Sequence, residues 1–251
     1  MTQTTGSRQP ARWASLATFI AAALLASLYL SWRLLATLDF LYPWLYESAS
    51  IGQHIDEFAP QNRYRERFEE TTRAERVRLF AEIARAIRRD GRGLELIRYR
   101  DADGETLGIL LRPPERVHLQ DVARLVTRLE AVGLVAMALL AFQLVYLRRR
   151  RTTLPAAVRM LGLTALGILG AAGVVLLLGP RDVFYQMHVW VFPADHQWFF
   201  YYQDSLMSTL MKAPYLFGYI TVALVALATV FLALIFTLGA RITRQLDQPG
   251  R

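Results

Sequence analysis

Four long stretches without a single charged residue constrain this chain more than any other feature. They contain 20, 17, 21 and 28 residues and run over Trp13–Trp32, Ala131–Leu147, Met160–Pro180 and Ala213–Ala240. A helix of about 20 apolar residues spans the hydrocarbon core of a bilayer. The sequence therefore predicts a membrane all-α protein with a bundle of four transmembrane helices. It excludes an ordinary soluble enzyme and a disordered chain.

The first stretch has two interpretations, a retained membrane anchor or a cleaved signal peptide ending at Ala26. Arg8 and Arg12 precede it and would suit either one. The uncharged run of 20 residues is longer than a signal-peptide core, which usually has about 7–15, and it continues past Ala26 to Trp32. We therefore favour the retained anchor.

The distribution of arginine predicts the topology. The two ends of the chain and the gap between the second and third stretches hold ten arginines and one acid, Asp247. Short cytoplasmic loops collect Arg and Lys, so these three segments are predicted to be cytoplasmic. The formal net charge of +8 thus reflects topology, and it does not indicate nucleic-acid binding.

The predicted order follows directly from these two patterns. The cytoplasmic parts are a tail at 1–12, an arginine-rich loop at 148–159 and a tail at 241–251. The transmembrane helices are at 13–38, 118–147, 160–180 and 213–240, and the external segments are at 39–117 and 181–212.

The first external segment is predicted to contain a helix and a β-hairpin. Apolar residues recur at helical spacing over Arg63–Arg89, with Thr71 or Thr72 as the candidate cap. Two apolar runs, 94–100 and 105–111, flank Asp103-Gly104, which is a hairpin signal. The sequence therefore predicts a small α+β element between the first two membrane helices.

The second external segment is strongly aromatic, with nine aromatic residues among the 19 residues from Phe184 to Tyr202. Aromatic rings concentrate at the boundary between lipid and water. We expect this segment to re-enter or skim the outer leaflet, and a plain aromatic belt is the alternative interpretation.

Two of the four histidines lie where an external segment meets a membrane helix, and these are His118 and His188. Glu115 and Asp121 are each three residues from His118 and could fix the orientation of its ring. His188 lies in an apolar stretch, where desolvation favours the neutral imidazole that a general base requires. The alternative is that both are interfacial histidines with structural roles.

The remaining chemistry is limited by what the sequence lacks. His54 and His196 fall in predicted loops, where a structural role is favoured. The chain has no cysteine, so disulfides, thiolate nucleophiles and cysteine metal sites are excluded. Glu115, His118 and Asp121 could ligate a metal together with His188, but their spacing is not a strong metal motif.

Two segments resemble one known family. Glu115-Arg-Val-His118-Leu-Gln-Asp121-Val122 resembles the Glu-x-x-His-x-x-Asp-Val motif before the second membrane helix of the lipoprotein intramolecular transacylase family. Phe184–Phe200, followed by Asp204-Ser-Leu-Met and Pro214-Tyr-Leu-Phe217, resembles its second motif, in which a histidine in an aromatic run precedes a tryptophan, Asp-x-Leu and a proline. One departure is Ala123, where family members often carry a lysine.

The resemblance implies an integral membrane acyltransferase in the bacterial cytoplasmic (inner) membrane, with its active site on the external side. Its partners would be membrane lipids and a diacylated lipoprotein, which it converts to the lyso form. Two catalytic histidines would map onto His118 and His188, supported by Glu115, Asp121, Trp198 and Asp204. No cofactor and no metal are expected.

The resemblance also implies a mechanism, and two other functions stay open. His188 would act as base and His118 as acid or oxyanion partner, although the two roles could be reversed. A metal-dependent membrane hydrolase would instead use the same histidines and acids as ligands. A non-enzymatic envelope scaffold would make both histidines structural.

Overall fold

The computed structural model describes residues 8–244 of the 251-residue chain. The helices are α1 (Arg8–Thr37), α2 (Tyr42–Ser48), α3 (Ile51–Phe58), α4 (Arg73–Ile87), α5 (Pro113–Arg149), α6 (Ala157–Leu178), α7 (Pro180–Val191), α8 (Leu206–Leu210) and α9 (Tyr215–Arg244), and the strands are β1 (Arg98–Arg100) and β2 (Thr106–Ile109). Residues 1–7 of the first predicted tail and 245–251 of the second lie outside the described part.

Four of these helices are long and apolar enough to cross a membrane. The candidate spans are Trp13–Thr37, Pro113–Arg149, Ala157–Leu178 and Tyr215–Arg244, with mean hydropathies between 1.8 and 2.6. The predicted membrane all-α fold with four transmembrane helices is therefore confirmed. The second of these helices begins at Pro113, because proline is suited to the first turn, where its missing N–H has no intrahelical partner.

The described residues form two compact units. The first comprises the described parts of Met1–Trp32, Glu130–Pro180 and Leu224–Arg251. Its core is apolar, and the rings of Phe19 and Phe236 lie 6.1 Å apart within it. Helices α1 and α5 approach closely, because a Cβ atom on Gly133 would lie 2.4 Å from Cδ2 of Tyr29. Such an approach is possible only where a side chain is missing.

The second unit comprises Arg33–Leu129 and Arg181–Ala223. Tyr42 of α2 stacks on Phe80 of α4 with ring centroids 4.1 Å apart, and its hydroxyl donates to the carbonyl of Leu210 at 2.7 Å. The Lys212 ammonium donates to the carbonyl of Ala49 at 2.8 Å. The two segments that the sequence predicts to be external therefore pack into one body.

The predicted helix over Arg63–Arg89 is wrong in its first ten residues. Helix α4 begins only at Arg73, after a short 3-10 helix at Phe68–Glu70. Thr72 is extended, with ψ 161°, and its hydroxyl accepts from the backbone N–H of Glu75, so it caps α4. The helical spacing of apolar residues continues across Phe68, which is why the sequence predicts a longer helix. The Thr72 cap and the left-handed backbone of Arg67 prevent α4 from extending towards residue 63.

The predicted hairpin is present, with shorter strands. β1 and β2 are antiparallel, and Tyr99 faces Gly108. Gly104 has a φ of 85° in the turn, and the Asp101 carboxylate accepts from the backbone N–H groups of Asp103 and Glu105. Residues 94–96, predicted as strand, form a 3-10 helix after Gly93, whose backbone is left-handed.

Candidate active site

His118 and His188 lie close together in the second unit. His118 is in the second turn of α5, and His188 is in the last turn of α7. Both imidazole rings contact the ring of Phe192, at centroid distances of 5.0 Å and 5.3 Å respectively. His118 also lies 6.0 Å from the ring of Phe200. The fold thus brings together two histidines that are 70 residues apart in sequence.

The hydrogen bond of His188 defines its tautomer. Its Nδ1 lies 2.8 Å from the backbone carbonyl oxygen of Phe184, one turn earlier in α7. A carbonyl oxygen only accepts, so Nδ1 must carry the hydrogen and donate it. In the neutral ring Nε2 then has a free lone pair. The geometry leaves Nε2 as the nitrogen that can accept a proton.

Aromatic rings surround His188 on several sides. The Phe184 ring lies 4.1 Å from it and the Trp198 ring 4.8 Å from it, measured between centroids. Trp198 in turn contacts Tyr185 at 5.3 Å. The predicted supporting residue Trp198 is therefore a direct neighbour of His188, and the helix and the aromatic run after it form one cluster.

The sequence predicts that Asp121 orients His118, but in the structure the Asp121 carboxylate has other hydrogen-bond partners. Its Oδ2 accepts from Nδ1–H of His196 at 2.5 Å, and its Oδ1 accepts from the Arg124 guanidinium at 3.1 Å. Within residues 8–244 the ring nitrogens of His118 form no hydrogen bond. The sequence placed Asp121 on the right face of α5, but a long-range partner competes for its carboxylate.

The sequence also predicts that Glu115 holds His118, but within residues 8–244 its carboxylate forms hydrogen bonds with other groups. The Glu115 side chain is fully buried and accepts from the Ser205 hydroxyl at 2.5 Å and from the backbone N–H of Arg112, also at 2.5 Å. The N–H of Met207 lies 3.4 Å away. Glu115 therefore ties the first turn of α5 to the start of α8.

The Asp204 carboxylate pairs with a residue other than the two candidate catalytic histidines. Its carboxylate forms an ion pair with the Arg63 guanidinium at 3.1 Å, and the neighbouring carbonyl of Gln203 accepts from the Arg63 backbone N–H at 2.9 Å. These two bonds join the two segments predicted to be external. A supporting role for Asp204 would act through this joint.

The predicted loop around His54 is wrong, because His54 lies in α3 and is buried. Its ring contacts Phe58 and Tyr202 at 4.7 Å and 4.4 Å. Burial, together with the nearby Lys212, lowers the pKa of His54 to about 4. The ring is therefore a packed, neutral part of the core, which agrees with the structural role that the sequence favoured.

The sequence predicts a loop and a structural role for His196, and it does not place this residue at the site. It does lie in a turn, where its N–H donates to the carbonyl of Pro193 at 3.1 Å, yet its side chain pairs with Asp121 beside the two catalytic candidates. The available signal was its position within the same aromatic motif, eight residues after His188.

The four candidate metal ligands do not assemble. Among the residues that the structure describes, no group of three or more His, Asp or Glu side chains is placed to hold a metal ion. Glu115 and Asp121 direct their carboxylates to Ser205 and His196 instead. The arrangement can accept a proton, because in the neutral tautomer of His188 the Nε2 atom carries a free lone pair within an aromatic cluster.

Comparison with known proteins shows the family to which the chain belongs. The family model for lipoprotein intramolecular transacylase Lit matches residues 17–215 of the chain. The in meso structure of the membrane integral lipoprotein intramolecular transacylase Lit from Bacillus cereus, a histidine-to-arginine variant, has a TM-score of 0.66, 12% sequence identity and coverage of 96% of both chains. No curated protein matches the sequence. Because the family model spans most of the chain, the protein belongs to the lipoprotein intramolecular transacylase family of acyltransferases.

Proposed function

We propose that the protein transfers an acyl chain from the diacylglyceryl group of a bacterial lipoprotein to the α-amine of its N-terminal cysteine, with His188 as general base and His118 as acid or oxyanion partner. One observation carries the proposal. His188 donates Nδ1–H to Phe184 and so keeps Nε2 free, within a ring cluster that also holds His118.

The chemistry needs one base and one acid. The α-amine attacks the ester carbonyl, a new C–N bond forms, and the C–O bond to glycerol breaks. The proton lost by the amine is balanced by the proton gained by the glycerol oxygen. Two histidines can divide these transfers, because one ring accepts the first proton while the other donates the second. The product is the N-acylated lyso form, with one ester chain left.

The substrate supplies the proximity that a two-substrate enzyme must create. Amine and ester belong to the same molecule, and a well-oriented intramolecular reaction gains several kcal/mol, about 7–11 in favourable cases, over the bimolecular one. A covalent acyl-enzyme is therefore not required. This suits a chain that has no cysteine and whose Ser205 hydroxyl is engaged with Glu115.

The two histidine environments support this division of labour. Phe184 fixes His188 as the Nδ1–H tautomer, so Nε2 can take the proton of the amine. The ring nitrogens of His118 have no hydrogen-bond partner among the described residues, so one of them is available to the departing glycerol oxygen or to the oxyanion. The surface of α7 is suited to binding the acyl chains of the substrate. Met187 and Trp190 are apolar and exposed on it, so they can contact acyl chains at the outer face of the cytoplasmic membrane.

The test is acyl transfer by the purified protein in lipid vesicles, with a synthetic diacylated lipopeptide as substrate and mass spectrometry of the product. His188→Asn keeps a side-chain N–H for the Phe184 carbonyl but has no basic nitrogen. It should lower the rate by about 100- to 10,000-fold, as should His118→Ala. Gln186→Ala is the matched control, because Gln186 is exposed on the same helix, and it should keep full activity.

Two results would contradict the proposal. Full activity of His188→Asn would remove His188 from the mechanism. An acyl group trapped on the enzyme in a quenched reaction would replace direct transfer with a covalent route. We expect the wild-type protein to make the lyso-form product and both histidine variants to be inactive.

A further inference from the structure

We propose that His196 is a positioning residue of the active site. It would act through Asp121 and the turn at residues 193–196 to hold Phe192 between His118 and His188. This inference rests on the proposed function. In this proposal His196 does not touch the reacting atoms.

The turn that joins His196 to Phe192 is fixed at both ends. At its start, the backbone N–H of Phe192 donates to the carbonyl of His188 at 3.0 Å, and at its end the N–H of His196 donates to the carbonyl of Pro193 at 3.1 Å. The His196 side chain then fastens the turn to α5 through its bond to Asp121. Phe192 is therefore held from two directions.

The bond to Asp121 is of the strong kind. Its length is 2.5 Å, its acceptor is a carboxylate, and the Asp121 side chain is only 8% exposed. Charge-assisted hydrogen bonds are shorter and roughly twice as strong as neutral ones. Arg124 pairs with the other carboxylate oxygen at 3.1 Å and so holds the Asp121 side chain in its direction. The carboxylate is a rigid anchor on the same helix as His118.

Phe192 is the ring through which this anchor would affect the rate. Its centroid lies 5.0 Å from that of His118 and 5.3 Å from that of His188, so a shift of Phe192 changes the space and the angle between the two. A misplacement of about 1 Å at a reacting group can cost about 100-fold in rate. The same shift would leave the binding of two long acyl chains largely unchanged, because their contacts are spread over a wide apolar surface.

The experiment measures kcat and KM of His196 variants in vesicles with the diacylated lipopeptide. His196→Ala should lower kcat by about 10- to 100-fold with KM unchanged. His196→Asn should restore most of kcat, because its side-chain N–H stands where Nδ1–H stood. Asp195→Ala is the matched control, since Asp195 is exposed in the same turn, and it should behave as wild type.

A double-mutant cycle separates positioning from general damage. If His196 acts through Asp121, the variant with both His196→Ala and Asp121→Ala should be no slower than Asp121→Ala alone. Independent, multiplying losses would overturn the proposal, as would wild-type kcat in His196→Ala or a failure of His196→Asn to restore it. His188→Asn is measured in parallel. If this variant is inactive while His196→Ala is fully active, only the inference on His196 fails. If His188→Asn is active, the proposed mechanism itself is rejected.

Discussion

The Ser205 hydroxyl donates a hydrogen bond of 2.5 Å to the carboxylate of Glu115, a residue 90 positions earlier in the chain. Both side chains are fully buried. Ser205 also accepts from the backbone N–H of Ser208 at 3.0 Å, which caps α8. The pair therefore joins α5 to α8 and caps the start of α8, so its role is to hold the second unit together.

Ser205→Ala should destabilise the protein without removing the chemistry. Loss of a donor to a buried carboxylate costs about 1–3 kcal/mol in the free energy of unfolding, and loss of the α8 cap adds to this. Denaturant unfolding in detergent micelles measures the change. Ser48→Ala is the control, because the Ser48 hydroxyl is exposed and donates to the carbonyl of Trp44 in its own helix. Loss of acyl transfer in the folded variant, with unchanged stability, would contradict this assignment.

The helices of this fold could be predicted because their signals are local. Uncharged stretches of 17 to 28 residues have few alternatives to membrane helices, and Asp103-Gly104 marks the hairpin turn through the backbone freedom of glycine. Both candidate caps, Thr71 and Thr72, have an extended backbone. The Thr72 hydroxyl accepts from the backbone N–H of Glu75, whereas the Thr71 hydroxyl donates to the carbonyl of Phe68. The start of α4 was therefore within reach of a local argument, but the apolar period obscured it.

The hydrogen bonds of the candidate active site could not be predicted, because they depend on partners far away in sequence. Asp121 is three residues from His118 but bonds to His196, which is 75 positions away. Glu115 likewise bonds to Ser205 rather than to His118. Spacing on a helix shows which face a carboxylate occupies, and the packing of another segment decides which donor reaches it.

The stability of the protein should depend on pH through His54. The fold lowers the pKa of His54 to about 4, whereas an unfolded histidine has a pKa of about 6.5. As pH falls below about 6.5, the unfolded chain takes up a proton on His54 that the folded chain does not. The contribution of neutral His54 to the free energy of unfolding is therefore complete above about pH 6.5 and is lost as pH falls towards 4. Unfolding measured from pH 8 to pH 4 should show this decline.

The control for this prediction lies on the same helix. Gln53 is exposed on α3, so Gln53→Ala should keep the decline in full. His54→Asn has no titrating ring and should flatten it. An unchanged pH dependence in His54→Asn would mean that another group is responsible.

Gly133→Ala should be strongly destabilising. The new Cβ would lie 2.4 Å from Cδ2 and 2.7 Å from Cβ of Tyr29, and because Cβ is the root of that side chain, a change of rotamer cannot relieve the clash. Overpacking of this kind typically costs about 1–3 kcal/mol. Thermal unfolding measures it against Gly170→Ala in α6, where a Cβ would meet nothing within 4 Å. That variant should be neutral or slightly stabilised, because alanine is the better helix former, and equal losses in both variants would refute the close approach.

The predicted topology can be tested by cysteine labelling, because the chain has no cysteine of its own. Asp103 is exposed in the hairpin turn and Arg149 is exposed at the end of α5, so either position should tolerate a cysteine. The arginine-rich loop is predicted to be cytoplasmic and the hairpin external. A membrane-impermeant thiol reagent should therefore label Asp103→Cys in intact spheroplasts, and should label Arg149→Cys only after the membrane is permeabilised. Labelling of both or of neither before permeabilisation would contradict a model in which α5 crosses the membrane, and the reverse pattern would place the two histidines on the cytoplasmic side.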